Sequence, residues 1–190
     1  VPKDAAVATF AGGCFWCMET AYEGMTGVYS VVSGYMGGPE PNPTYKQVSR
    51  GLTGHAEVVQ VTYDPKLVAY DVLLTTFWLN VDPFAVDRQF CDRGSQYRSG
   101  IFFHGDEQKA AAFASAIRAK HKSKLTGAFQ VEITPASTFY PAEEYHQDYY
   151  RKNPSHYKRY RYGCGRDRRL KAIWGKSLSG VEIQKMNQAK

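Results

Sequence analysis

Residues 7–25 read VATFAGGCFWCMETAYEGM, and two periodicities meet within them. Val7–Phe10 is a short β-prone run that stops at the Gly12-Gly13 turn. From Cys14 the pattern becomes helical: Phe15, Met18, Tyr22 and Met25 recur on one face, with Glu19 and Glu23 between them. A strand running directly into a helix is the first half of a layered α/β unit, and the rest of the chain continues it. Strands are expected at 28–35 (VYSVVSGY), 55–65 (HAEVVQVTYDP, ended by Asp64-Pro65), 97–104 and 129–135. Helices are expected at 70–81, with Leu73, Leu74, Phe77 and Trp78 buried, and from Asp106, with Ala110, Phe113, Ala114 and Ile117 as the apolar face. Asp106 is read as the cap of that helix, and Pro141 as the start of a short helix over 141–150. Residues 36–45 are dense in Gly, Pro and Asn and read as loop, as does the long polar segment 82–96. Strands interleaved with helices, some paired as hairpins, predict a two-layer α+β sandwich with a mixed sheet and flanking helices. One catalytic domain is expected over 1–190. Residues 1–6 form an N-terminal extension, and 151–190 a basic, largely irregular tail with a short helix near Leu170 to Trp174.

Net charge is +6, and much of it lies in that tail: Arg151 to Lys171 holds nine Lys or Arg against one acid, Asp167. Such a patch can meet nucleic acid, but it is also an ordinary solvated surface, and no nucleic-acid partner is expected. No apolar run reaches the roughly 18 residues of a membrane span. Val1 stands where an initiator Met is expected, which implies processing or trimming and leaves an exported form open; cytoplasm is the expected compartment. Four cysteines are too sparse for a disulfide scaffold and hold only one close pair, which argues against structural zinc.

Cys14 is the candidate nucleophile. It follows two glycines at a helix start, where orphan N–H groups and the helix dipole favour a thiolate. Cys17 lies one turn further in, so a thiol–disulfide exchange pair is an alternative, although Phe15 and Trp16 are bulky and better suited to wall an apolar substrate group. Glu57 shares a strand face with Val59 and Val61. Desolvation there raises a carboxyl's pKa and can keep it protonated as a donor. His55 on the same face reads as structural. Tyr45 and Tyr97, at loop junctions, can offer hydroxyls to a substrate oxygen, and Asp92 can orient one of them. Cys164, between Gly163 and Gly165, sits on a mobile arm of the kind a resolving thiol needs. Cys91 could do the same, but nothing around it indicates comparable freedom.

The segments GGCFWC (12–17), GYMGG (34–38), NPTY (42–45), GLTGHAEVVQVTYDP (51–65), DRGSQYRS (92–99) and FYPAEEYHQDYY (139–150) occur in order across most of the chain. In them the chain resembles the class A peptide methionine sulfoxide reductases, which act on the S epimer of the sulfoxide. The resemblance implies a ferredoxin-like βαββαβ-type core and no cofactor, since sulfur carries the electrons. It implies that Cys14 attacks the sulfoxide sulfur and becomes a sulfenic acid. Glu57 would protonate the oxygen, Tyr45 and Tyr97 would hydrogen-bond it beside Asp92, and Phe15 and Trp16 would enclose the methyl group. It further implies a Cys14–Cys164 disulfide, reduced by thioredoxin, and oxidised peptides or proteins as substrates of a monomer. The chain departs from many relatives at Phe84 and at Phe90-Cys91, where the loop is bulkier and carries a thiol.

Overall fold

The computed structural model describes residues 2–188. β1 (Ala6–Gly12) leads through Gly13 and Cys14 into α1 (Phe15–Tyr22), as the periodicity predicts. β2 (Val28–Met36) and β3 (Ala56–Tyr63) follow, joined by a loop and by α2 (Tyr45–Ser49). That helix lies at the end of the Gly/Pro/Asn segment. Its start is fixed by a capping box in which Thr44 and Gln47 satisfy each other's backbone N–H groups. α3 (Tyr70–Leu79) precedes a two-residue hairpin, β4 (Arg88–Gln89) with β5 (Asp92–Arg93). Then come β6 (Ser99–Phe103), α4 (Asp106–Lys122), β7 (Glu132–Pro135) and β8 (Tyr140–Pro141).

The six-stranded sheet runs β7-β6-β1-β3-β2-β8. Its centre, β6-β1-β3-β2, is antiparallel throughout, and is the split βαββαβ arrangement of a ferredoxin-like core. The α4 crossover adds β7 parallel to β6, which makes the sheet mixed, and β8 adds an antiparallel edge beside β2. One face carries the main core. Phe10 stacks on Tyr22 at 5.1 Å and on Phe77 at 5.6 Å, and Val59, Val61, Leu73 and Leu74 close around them. The other face is thinner: Ala11, Met36, Ala56, Val58 and Phe102 pack under Ala136 and Phe139.

Several expectations change. The tail beyond 151 is helical rather than coil: α5 (Tyr149–Lys152), α6 (Pro154–Gly163), α7 (Arg166–Trp174) and α8 (Gly180–Gln188). Its buried faces use Tyr157, Arg166 and Gln184 as well as Leu170, Ile173 and Ile183, so residues that count as polar hide the helical period. On α4 the expected apolar face is wrong. Phe113 and Ile117 are exposed, while Ala112, Ser115 and Ala119 are buried, because the close approach of α3 admits only small side chains. The helix is capped by Gly105, not Asp106, which is its first residue. Pro141 ends in β8; helical turns follow only at Glu144–His146 and from Tyr149.

Candidate active site

The Gly12-Gly13 turn positions Cys14. Gly13 has φ +82°, and a Cβ there would lie 2.5 Å from Cβ of Gln89; one on Gly12 would meet the Met18 sulfur at 2.4 Å. Gly13 admits no other residue without strain, and a side chain on Gly12 would require Met18 to move. Cys14 is then the first, capping residue of α1, with Cys17 one turn on. Both are free thiols and both are buried.

The two thiols are shifted in opposite directions. Burial pushes the Cys14 thiol well up, with Cys17, Glu57 and Asp92 adding to it. Cys17 is lowered to about 6 by its hydrogen bond with Cys14, helped by the guanidinium groups of Arg166 and Arg161. Desolvation here outweighs the helix N-terminus. The two thiols titrate as a coupled pair.

Glu57 lies in β3 on the sheet face that carries Val59 and Val61, and is 1% exposed. Burial raises its carboxyl to about 8, against the opposing pull of the Phe15 N–H, which donates to Oε2 at 3.0 Å. Near neutral pH this group is a buried acid holding its proton. The hydroxyls of Tyr45 and Tyr97 are both pushed up by burial and by Glu57, Asp92 and Cys14, which all act on each of them. Tyr45 opens α2, and Tyr97 closes a 3-10 turn before β6. Asp92 is raised by burial and accepts a hydrogen bond from the Tyr160 hydroxyl. Thus Cys14, Glu57, Tyr45, Tyr97 and Asp92, drawn from five separate elements or turns, converge on one place.

The aromatic side of the site is larger than the sequence indicated. Phe15 packs against Tyr45 (6.3 Å), Tyr35 (5.9 Å) and His146 (5.0 Å). Trp16 stacks on Tyr149 at 3.8 Å and meets Tyr160 edge-on, while its indole N–H donates to His146 Nδ1 at 3.1 Å. Burial lowers His146 to about 4, so it stays neutral. Tyr160, His146 and Arg166 were not singled out from the sequence. Tyr160 and Arg166 lie in the basic stretch from Arg151 to Lys171, where nothing local distinguishes them from solvated surface residues.

Arg166 is 2% exposed. It donates to the carbonyls of Gly12 at 3.0 Å and Asn80 at 2.7 Å, and lies over the Phe90 ring at 4.4 Å. It thereby ties the nucleophile turn to the β4–β5 hairpin.

Cys164 is not paired with Cys14. It forms a disulfide with Cys91, 73 residues away in sequence. Cys91 is in the two-residue turn of the β4–β5 hairpin, after Phe90 at φ +54°, and that turn carries it to the C-cap of α6, where Cys164 stands. A long-range contact of this kind leaves no local trace in sequence. Two groups of potential metal ligands also converge: Glu19, Glu23 and Asp148, and Cys91, Asp92 and Cys164. The first is engaged internally, with Glu19 accepting from Ser33 and Asp148 and Glu23 pairing with Arg151. The sulfurs of the second are bonded to each other.

Comparison with known proteins agrees with this geometry. The sequence model of the family described as peptide methionine sulfoxide reductase matches residues 6–178. The peptide methionine sulfoxide reductase MsrA of Bacillus subtilis is 47% identical over 169 residues, covering 89% of this chain and 96% of that protein. Among solved structures, Mxr1 from Saccharomyces cerevisiae in reduced form is similar with a TM-score of 0.73 at 35% identity, over 82% of this chain and 89% of the yeast one. Methionine sulfoxide reductase A of Corynebacterium diphtheriae gives a TM-score of 0.73 at 34% identity, over 80% of this chain and 77% of that one. With a family match over most of its length and a site built on the Cys14 turn, the chain belongs to the peptide methionine sulfoxide reductase family.

Proposed function

We propose that this chain reduces methionine-S-sulfoxide, in peptides and proteins and as the free amino acid, to methionine. The observation that carries the mechanism is Glu57, a buried carboxyl that keeps its proton up to about pH 8 beside the nucleophile turn. The Cys14 sulfur attacks the sulfoxide sulfur as Glu57 donates to the oxygen, which makes that oxygen a better group to transfer. The oxygen ends on Cys14 as a sulfenic acid, the S–O bond of the substrate breaks, and methionine leaves. The attacking form is the Cys14 thiolate, with Cys17 one helical turn on and titrating together with it. Tyr45 and Tyr97 hydrogen-bond the sulfoxide oxygen, and Asp92 completes that polar wall. Phe15 and Trp16 enclose the methyl group on sulfur, and this recess on one side with the donors on the other sets the preference for one epimer.

The sulfenic acid then condenses with a thiol of the chain to give a disulfide and water, and thioredoxin returns the chain to its reduced state. A monomer in the cytoplasm, where thioredoxin is kept reduced, fits this cycle. The test is turnover of separated S and R epimers of a methionine sulfoxide peptide, with dithiothreitol or thioredoxin as reductant. The S epimer is expected to be consumed and the R epimer left, and Cys14→Ser is expected to abolish methionine formation. Equal turnover of both epimers, or native activity in Cys14→Ser, overturns this function.

A further inference from the structure

The two sulfur pairs differ in access, and that difference locates where reducing equivalents enter. Cys14 and Cys17 are 7% and 1% exposed, a recess that a methionine side chain can enter more readily than a cysteine held on the surface of a folded protein. Cys91 is exposed and Cys164 half-buried. Asp92, next to Cys91, accepts a hydrogen bond from the Tyr160 hydroxyl, and Tyr160, one turn before Cys164, meets Trp16 edge-on at 5.8 Å, between Cys14 and Cys17 in the chain. The C-terminal end of α6 therefore borders both pairs. Cys164 has Gly163 before it, where an added side chain would meet nothing within 4 Å, and Gly165 after it at φ +72°. Cys164 thus stands at the break between α6 and α7, where the backbone is not held in either helix.

Beside the disulfide lies an open groove of about 790 Å³. Its walls are Phe84, Val86, Arg88 and Arg168, next to Cys164 itself. Val86, Arg88 and Arg168 are exposed, so the groove presents apolar and cationic surface together.

We propose that Cys91 is the outlet thiol of the catalytic cycle, and that the groove beside it seats a small dithiol protein with an acidic and apolar rim. The inference rests on the sulfoxide reductase function above. In the fully reduced chain, Cys14 takes the sulfoxide oxygen and becomes a sulfenic acid. The Cys164 thiol attacks that sulfur, forming a Cys14–Cys164 disulfide and releasing water. The Cys91 thiolate then attacks the Cys164 sulfur; the new Cys91–Cys164 bond forms, and Cys14 leaves as a thiolate that takes up the proton Cys91 gave up. The buried nucleophile is regenerated without meeting the reductant. One thiolate of the seated dithiol protein attacks the exposed Cys91 sulfur and frees Cys164. Its second thiol then resolves the mixed disulfide, so the partner leaves oxidised and Cys91 leaves reduced.

The experiment uses the full-length chain, reduced until alkylation counts four thiols, freed of reductant and given excess methionine-S-sulfoxide peptide. Peptide mapping of the wild type is expected to find Cys91–Cys164. In Cys91→Ser the cycle is expected to stall with Cys14–Cys164 trapped after one methionine per chain. In Cys164→Ser a Cys14 sulfenic acid is expected, detected by dimedone. A Cys14–Cys17 disulfide in the wild type, with Cys91 and Cys164 still thiols, overturns the proposal while leaving sulfoxide reduction intact. No methionine from the wild type overturns both. A Cys91–Cys164 bond that thioredoxin fails to reduce in the folded protein shows a static clip and also overturns it. For the groove, Arg168→Glu is expected to raise KM for thioredoxin by about tenfold, with dithiothreitol-driven turnover as the control for general damage. An unchanged KM removes the groove from the proposal.

Discussion

The Cys14/Cys17 and Cys91/Cys164 pairs are made of the same residue and are placed by different means. The first sits where β1 becomes α1, three residues apart, buried by the sheet and by the aromatic side chains that follow it. The second joins a hairpin tip to a helix end across 73 residues and reaches the surface. The contrast separates two demands of sulfur redox chemistry. A nucleophile paired with a proton donor works best out of water, where a carboxyl can stay protonated and a thiol waits for substrate. A thiol that exchanges with another protein has to be reachable. In the proposed cycle, one chain meets both demands by keeping the two pairs apart and running α6 between them.

The largest expected effect strikes the buried side of this contrast. Glu57→Gln keeps an acceptor for the Phe15 N–H but has no proton to give, and is expected to lower the rate of methionine formation by about 10²- to 10⁴-fold. The wild-type rate is expected to fall as pH rises through about 8, where Glu57 loses its proton, and the variant is expected to lack that limb. Stability follows the same group. Between its ordinary 4.5 and about 8 the unfolded carboxyl ionises while the folded one stays protonated, so folding is progressively disfavoured as pH rises through that window. Urea melts at several pH values are expected to show this slope reduced in Glu57→Gln.

Arg166 joins the two regions, touching Gly12 on one side and Phe90 on the other. Arg166→Ala strips charged donors from two buried carbonyls and is expected to cost about 3 kcal/mol in denaturant unfolding. A loss well under 1 kcal/mol would mean that the nucleophile turn and the hairpin hold their places independently.

Cys17→Ser separates sulfoxide reduction from exchange through the C-x-x-C pair. If Cys17 only titrates together with Cys14, the rate is expected to stay within about tenfold of wild type. Complete loss would make the buried pair itself the redox couple. The smallest expected effect is on α4. Ile117→Ala, at an exposed position, is expected to change stability by no more than about 0.5 kcal/mol in thermal or urea unfolding. A larger cost would restore Ile117 to the core.

Where local periodicity and local chemistry agree, the sequence was legible. The run from Val7 to Met25 announced its strand, its glycine turn and its helix, because each is a matter of neighbouring residues. Glu57 stood out because a carboxyl on an apolar strand face has few explanations. Leu73, Leu74, Phe77 and Trp78 read directly as a buried stripe and are one. The helical tail was not legible, because Arg166, Tyr157 and Gln184 fill buried positions that polar residues seldom occupy. The α4 face was misread because the space beside α3 admits alanine and serine but excludes the larger apolar residues of the same helix.

The alternation of the main strands and helices from β1 to β7, the glycine-framed Cys14 and the carboxyl of Glu57 on an apolar strand face were legible in the sequence alone, since each follows from spacing of a few residues. The upward shift of the Cys14 thiol, the partner of Cys164 and the burial of Arg166 were decided only by tertiary structure. Desolvation, disulfide geometry and the pairing of a buried cation depend on which distant segments meet, and no local pattern records that.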